Sequence, residues 1–304
     1  MTQQHNLTAG AAWMGGRVIP IAEARIGVTD WGLTHSDIAY DVVPVVEGGF
    51  FRLPDYIDRF MASARAWRLD PGLDRAGIVA ALTEMIAVSG LRDAYCAMVV
   101  ARGVPLIPGI RDPRQCQNHF YAWCVPYVHV IKPEVIAAGA SVWIAKTVHR
   151  IPADSVNPRA KNYHWGDFTA GLFEAKDAGC ETVLLLDHQG HVTEGPGFNA
   201  FALTGGRLVT PDLGVLGGIT RQTVLDMARE IGLETEERAL PLDEFLEADE
   251  VFLSSSGGGV LPISRVDDRV FGNGAPGPVA SRLRDLYFDW TRRPAYRIEI
   301  DYLA

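Results

Sequence analysis

Two stretches of the chain carry apolar residues at helical spacing. Tyr56, Ile57, Phe60, Ala64 and Trp67 recur along residues 54–69, and Ile78, Leu82 and Ile86 share one face of residues 75–90. Elsewhere the apolar runs are short and punctuated by glycine. Residues 11–20 predict a hairpin turning at Gly15-Gly16, and residues 42–51 predict two strands hinged at Glu47-Gly48-Gly49. Strands are expected at 95–102 and 120–128. The run between them, 103–114, holds three prolines, two glycines and the arginines Arg111 and Arg114. That composition predicts an ordered loop of the kind that carries function.

The pattern breaks at residues 131–139 and resumes with strands at 140–147, 182–187, 198–203 and 207–210. Helices are expected at 166–178, 219–231 and 276–290. Strands and helices mix without a regular βαβ repeat, which predicts an α+β chain. The expected organisation is a small N-terminal domain over 1–130, a linker over 131–139 and a larger C-terminal domain over 140–304.

Composition narrows the function. At 304 residues and 48% hydrophobic content the chain can bury a sizeable core, and its net charge is −9. No Lys/Arg-rich run occurs, so neither nucleic acid nor an anionic membrane surface is an expected partner. The four cysteines lack CxxC spacing and fall mostly in apolar stretches, which predicts buried free thiols rather than disulfides or a metal site. Met1-Thr2-Gln3-Gln4-His5 has neither a basic start nor an apolar core, and no apolar run reaches membrane-spanning length; a soluble, cytoplasmic protein is expected. No GxGxxG follows an expected strand, and GxxxxGK[ST], HExxH and GxSxG are absent.

What the chain does carry is one conspicuous lysine. Of four lysines, only Lys161 lies in a segment unlike surface sequence, Pro158-Arg159-Ala160-Lys161-Asn162-Tyr163-His164-Trp165-Gly166-Asp167. A lysine amine with a depressed pKa forms Schiff bases with carbonyls or with pyridoxal phosphate. A pyridoxal phosphate site also needs a carboxylate against the pyridine nitrogen and donors for the phosphate. Glu194, in Thr193-Glu194-Gly195-Pro196-Gly197-Phe198-Asn199, is a candidate for the first. Gly217-Gly218-Ile219-Thr220 at a helix start and Ser254-Ser255-Ser256-Gly257-Gly258-Gly259 after a strand are candidates for the second. Arg59 offers a permanent cation. Each has a bland alternative: a solvated turn carboxylate, an ordinary cap, a Gly/Ser turn, a surface arginine.

In combination and in this order, the five segments resemble the fold type IV pyridoxal phosphate enzymes, the D-amino-acid aminotransferase-like fold of two domains. The likeness runs from about Ala11 to Tyr302. Within that class it is nearest the (R)-selective amine transaminases, through Trp31-Gly32-Leu33-Thr34-His35-Ser36-Asp37-Ile38-Ala39-Tyr40-Asp41, Lys161–Asp167 and Gly274-Ala275-Pro276-Gly277-Pro278. The resemblance implies a transaminase that moves an amino group from an (R)-amine to a small keto acid such as pyruvate through a Lys161 Schiff base. It implies Arg59, Lys161, Glu194, Leu216, Ile219, Thr220 and Ser256 as cofactor ligands. His35, Tyr40, Val42, Arg111, Trp165 and Gly257 are implied for the substrate, with Arg114 competing with Arg111 for its carboxylate. No metal is implied, and a homodimer is. Ala97 stands where related enzymes carry a larger or acidic residue and is expected to enlarge a subsite. Trp165 replaces a tyrosine of the branched-chain enzymes. The rival readings are a D-amino-acid or branched-chain L-amino-acid aminotransferase, a lyase acting on aminodeoxychorismate, and, more remotely, a non-enzymic binding protein that keeps the fold.

Overall fold

The computed structural model describes residues 7–302, so the Met1–His5 segment lies outside the described residues. The chain forms two compact units. The first holds the residues up to Val128, the short segment Ala160–Tyr163 and the chain from Arg293; the second holds His129–Arg159 and His164–Arg292.

The first unit is built on a seven-stranded sheet. Its strands are β1 (Ala11–Met14), β2 (Arg17–Pro20), β3 (Ile38–Val46), β4 (Gly49–Phe51), β5 (Ala94–Pro105), β6 (Cys116–Pro126) and a C-terminal strand, Arg297–Glu299. All pairings are antiparallel. The helices are α1 (Trp31–His35), α2 (Leu53–Ala66) and α3 (Arg75–Ser89). Asp74 starts α3 by accepting from Gly77 N at 2.8 Å, and Pro54 sits in the first turn of α2, where its missing N–H does no harm.

Register divides the sheet into two faces. Val42 pairs with Ala97 and Ala97 with Trp123; Tyr40 pairs with Val99 and Val99 with Tyr121. Side chains alternate along a strand, so these residues share one face. The intervening Phe120 points the other way and meets Phe60 of α2 edge-on at 6.0 Å, which sets α2 against the opposite face. Burial of each such large apolar side chain contributes roughly 1.5–3 kcal/mol.

The β5 strand outruns its expected end. Between Ala101 and Val104 the register slips, and Gly103 adopts φ 75° where a Cβ would collide with the Gln117 carbonyl. This glycine bulge re-aims the strand into the loop that carries Arg111.

The second unit holds a nine-stranded mixed sheet. Its main strands run in the order Glu234–Glu237, Arg207–Thr210, Phe198–Thr204, Glu250–Ser255, Gly259–Val266, Ala140–Ile144, Thr182–Leu184. Val142, Ile144, Leu184, Ala200, Leu253 and Ile263 fill one core. The helices Gly166–Asp177, Ile219–Glu230 and Pro278–Trp290 match the expected spans closely.

Three parts differ from the sequence expectation, the first being Ala160–Tyr163, which groups with the first unit although it lies within the expected C-terminal domain. The expected linker contains a helix, Pro133–Ala138, started by Pro133 and buried at Ile136. The chain end belongs to the first unit, because Arg297–Glu299 pairs with β4 and Arg297 donates to the carbonyls of Val46 and Glu47. No helix among the described residues is long and apolar enough to cross a membrane. All four cysteines are free thiols, with Cys96, Cys124 and Cys180 buried.

Candidate active site

In the first unit Lys161 is pinned through its backbone. Its N–H donates to Ser63 Oγ at 3.0 Å and its carbonyl accepts from Tyr40 N at 3.2 Å. The next residue, Asn162, bridges Ala39 of β3. These contacts leave the side chain to project over the sheet, where Nζ lies 4.5 Å from the centre of the Tyr40 ring. Tyr163 packs on the same ring at 4.4 Å.

Arg59 comes from α2. Its Nε and Nη2 donate to the two oxygens of Asp41 at 2.8 and 2.6 Å, and Asp41 also accepts from Val42 N at 2.8 Å. Burial alone would push the guanidinium down, but the charge and hydrogen bonds of Asp41 outweigh it and raise Arg59 above its ordinary value. Arg59 is therefore an oriented, permanent cation.

The same unit contains a cleft of about 800 Å³ whose lining includes Trp31, His35, Val104, Pro108, Ile110 and Arg111. Asp30 anchors its α1 wall by capping Gly32 N at 2.7 Å while its other oxygen meets His119 Nε2 at 2.6 Å. The His35 ring lies 4.7 Å from Trp31, and its Nδ1 is 2.7 Å from Thr34 Oγ1. Three arginines surround the loop, and their partners distinguish them. Arg102 is locked to Asp37 and to the Trp67 and Arg68 carbonyls. Arg114 is bonded to Asp112, whose carboxyl it holds well below the usual range. Arg111 lines the cleft and has no hydrogen-bond or ion-pair partner among the described residues.

Ala97 is fully covered. Its small side chain lets the neighbouring Tyr95 and Trp123 rings pack at 5.6 Å, so at this point the face is walled by rings rather than opened into a larger subsite.

The second unit holds the other half of the expected residues. Glu194 is buried, with Oε1 accepting from Arg150 Nε at 3.1 Å and Oε2 from Leu216 N at 2.9 Å. Arg150 in turn donates to Asp167 at 2.6 Å, and its guanidinium lies 4.3 Å from the Phe168 ring centre. Sequence reasoning missed Arg150. Its carboxylate partners lie 17 and 44 residues away, so no local pattern marks it. Asp167 stood inside a quoted motif but without a role.

Leu216 is fixed twice more, its carbonyl accepting from Asn199 Nδ2 at 3.0 Å and from Gly218 N at 2.9 Å. Helix Ile219–Glu230 begins immediately afterwards with no side-chain cap. Gly218 is required there, since a Cβ would collide with Asn199 Oδ1. Thr220 Oγ1 is buried at that terminus with no hydrogen-bond partner among the described residues. Arg221 turns away to Glu237 and the Pro211 carbonyl. Ser256 and Gly257 follow the strand Glu250–Ser255; Ser255 Oγ ties this turn to the Gly197 carbonyl at 2.8 Å and accepts from Gly257 N at 3.1 Å. Trp165 precedes helix Gly166–Asp177 and packs edge-on against Phe168 at 5.5 Å.

These groups fit pyridoxal phosphate. A buried hydroxyl without a partner at an uncapped helix start suits a phosphate. A buried carboxylate held by one arginine and one backbone N–H suits a pyridinium.

Residues 39–266 match the amino-transferase class IV family model. The chain is 31% identical over 280 residues to a candidate branched-chain-amino-acid aminotransferase of Methanocaldococcus jannaschii, covering 91% of this chain and 95% of that one. It is 29% identical over 287 residues to the D-alanine aminotransferase of Bacillus licheniformis, covering 88% and 93%. The branched-chain amino acid aminotransferase of Thermobaculum terrenum, solved in its PLP-form, superposes with a TM-score of 0.84 at 26% identity, covering 96% and 98%. The chain belongs to the class IV aminotransferases, the pyridoxal phosphate-dependent transaminases of fold type IV.

Proposed function

We propose that this protein transfers the amino group of an (R)-amine to a small keto acid such as pyruvate. The observation that carries the reading is Arg111, a loop-borne guanidinium with no partner among the described residues, in a cleft shared with His35. A cation held by a loop can meet a keto-acid carboxylate in one half-reaction and withdraw when an uncharged amine occupies the site in the other. The (R) preference rests on the likeness of Trp31–Asp41 and Lys161–Asp167 to the (R)-selective amine transaminases. The rival is an amino-acid aminotransferase, D-selective or branched-chain, favoured by the activities named for the relatives. It would need its carboxylate clamp in both half-reactions.

When bound, pyridoxal phosphate supplies an electron sink for charge released at the substrate Cα. Lys161 Nζ moves the Cα proton. Glu194, oriented by Arg150 and Leu216 N, offers a fixed negative charge to the pyridine nitrogen. In the second unit the Thr220 hydroxyl, the N–H groups of Ile219 and Thr220 and Ser256 would hold the phosphate, and Leu216 would pack on the ring; in the first unit the resemblance gives Arg59 to the phosphate. The resemblance gives the substrate His35, Tyr40 and Val42 of the first unit and Trp165 and the Gly257 backbone of the second. The working unit is a cytoplasmic homodimer; the exposed Val28, Leu33, Leu106 and Ile107 around the Arg111 cleft supply apolar surface for a second copy.

Arg111→Ala will raise the KM for pyruvate about thirty-fold, the value of a charge-assisted hydrogen bond. The same variant will keep its single-turnover rate with the amine within about two-fold, because no carboxylate is present there. Arg114→Ala, which removes a cation already paired within its own loop, will leave the pyruvate KM within about two-fold. An unchanged KM in Arg111→Ala overturns the assignment.

Thr220→Val will weaken cofactor binding by about ten-fold in a fluorescence titration, through loss of one hydroxyl donor. It will not lower the melting temperature of the cofactor-free protein, because Thr220 Oγ1 has no hydrogen-bond partner among the described residues.

A further inference from the structure

The sheet face beside Lys161 carries more hydrogen-bonding capacity than the fold uses. Period-two alternation sets Tyr95 and Ala97 of β5 beside Tyr121 and Trp123 of β6, and Tyr163 lies over Tyr40 at 4.4 Å. The rings of Tyr95, Tyr121, Trp123 and Tyr163 are half-buried against the apolar residues of this face. Ring contacts fix them: Tyr95 on Trp123 at 5.6 Å, and Tyr121 stacked on His119 at 5.7 Å, which Asp30 holds in turn. Yet none of the three phenol hydroxyls, nor the Trp123 indole N–H, has a hydrogen-bond partner among the described residues. Rings packed this firmly with their polar ends unused form a wall presented to a ligand.

The chemistry of that wall has a sign. An indole N–H can only donate. Burial raises the phenols, pushing Tyr121 up to about 12 and Tyr95 and Tyr163 further still, so all three stay protonated and able to donate. A purely apolar wall would prefer hydrocarbon, since an ether or carbonyl oxygen loses its water on entry.

We propose that Tyr95, Tyr121, Trp123 and Tyr163 bind the larger substituent of the substrate and select one bearing a hydrogen-bond acceptor, such as an oxygen-substituted aromatic ring. This inference rests on the transaminase reading above, with Lys161 as its reacting amine. It does not depend on whether the donor is an amine or an amino acid.

The test compares donors that differ only by oxygen for methylene, using the enzyme loaded with pyridoxal phosphate. The first pair is (R)-1-(4-methoxyphenyl)ethylamine and (R)-1-(4-ethylphenyl)ethylamine. The second is O-methyltyrosine and 4-ethylphenylalanine, each as both enantiomers. The methoxy compound is expected to have the higher kcat/KM by about five-fold, within the range of one or two neutral hydrogen bonds. In Tyr121→Phe/Tyr163→Phe, which keeps both rings, the ratio is expected to fall to about one or below. A ratio at or below one in the unaltered enzyme overturns the inference, as does a preference that survives the double substitution. If the amines fail and the amino acids react, the amine reading falls while the second pair still decides this inference. If no donor of either pair reacts, both fall.

Discussion

Lys161→Ala will lower transamination by about ten-thousand-fold, the upper end of what a positioned proton-transfer group supplies. The fold will survive the change. Lys161 is held by its peptide N–H on Ser63 and its carbonyl on Tyr40, and neither contact involves the side chain. The contacts the fold loses include the position of an ammonium over the Tyr40 ring, about 0.5–1 kcal/mol. The melting temperature should therefore shift by roughly 4 °C at most, on the scale of a domain this size. Added methylamine should restore part of the rate, since a free amine can move the same proton. A variant that retains more than a tenth of the activity would remove Lys161 from the chemistry.

The second large effect is on stability. Arg150→Met removes the cation that joins two buried carboxylates, Asp167 and Glu194. A buried pair broken from one side leaves an uncompensated charge and costs about 3–5 kcal/mol. For domains of this size that corresponds to a fall of roughly 10 °C in melting temperature. Arg150→Lys should recover only part of the loss, because an ammonium cannot span both carboxylates as the planar guanidinium does. Cofactor affinity should fall with stability in both variants, as Glu194 loses the Arg150 donor that orients it. A melting temperature unchanged in Arg150→Met would mean that the Asp167–Arg150–Glu194 chain contributes nothing to the unit that contains it.

The elements legible in the sequence were those with a local cause. Helices α2 and α3 follow from apolar spacing, and the first hairpin follows from Gly15-Gly16. The helix Pro133–Ala138 was obscured because six residues of Pro-Glu-Val-Ile-Ala-Ala are too short to show a period. The C-terminal strand was obscured because its partner, β4, lies about 250 residues earlier in the chain. Candidate chemistry followed the same division. Lys161, Glu194 and Thr220 could be picked out because each sits in a segment whose glycines and order suggest a purpose. Arg150 could not, since its meaning depends wholly on residues distant in sequence. The proposal of Arg111 over Arg114 rests on one local fact that composition does not contain: Asp112 takes Arg114. Ala97 was misleading, because a small residue in a sheet opens space only if its neighbours stay apart.

The most direct test of the proposed activity follows the visible spectrum of the pyridoxal phosphate-loaded protein through single half-reactions. Separate samples receive (R)-1-phenylethylamine, (S)-1-phenylethylamine, D-alanine and L-leucine. The proposed function predicts that the (R)-amine bleaches the cofactor band, that the (S)-amine does so far more slowly, and that pyruvate restores it. Bleaching by D-alanine or L-leucine alone, with both amines inert, would contradict it and make the protein an amino-acid aminotransferase.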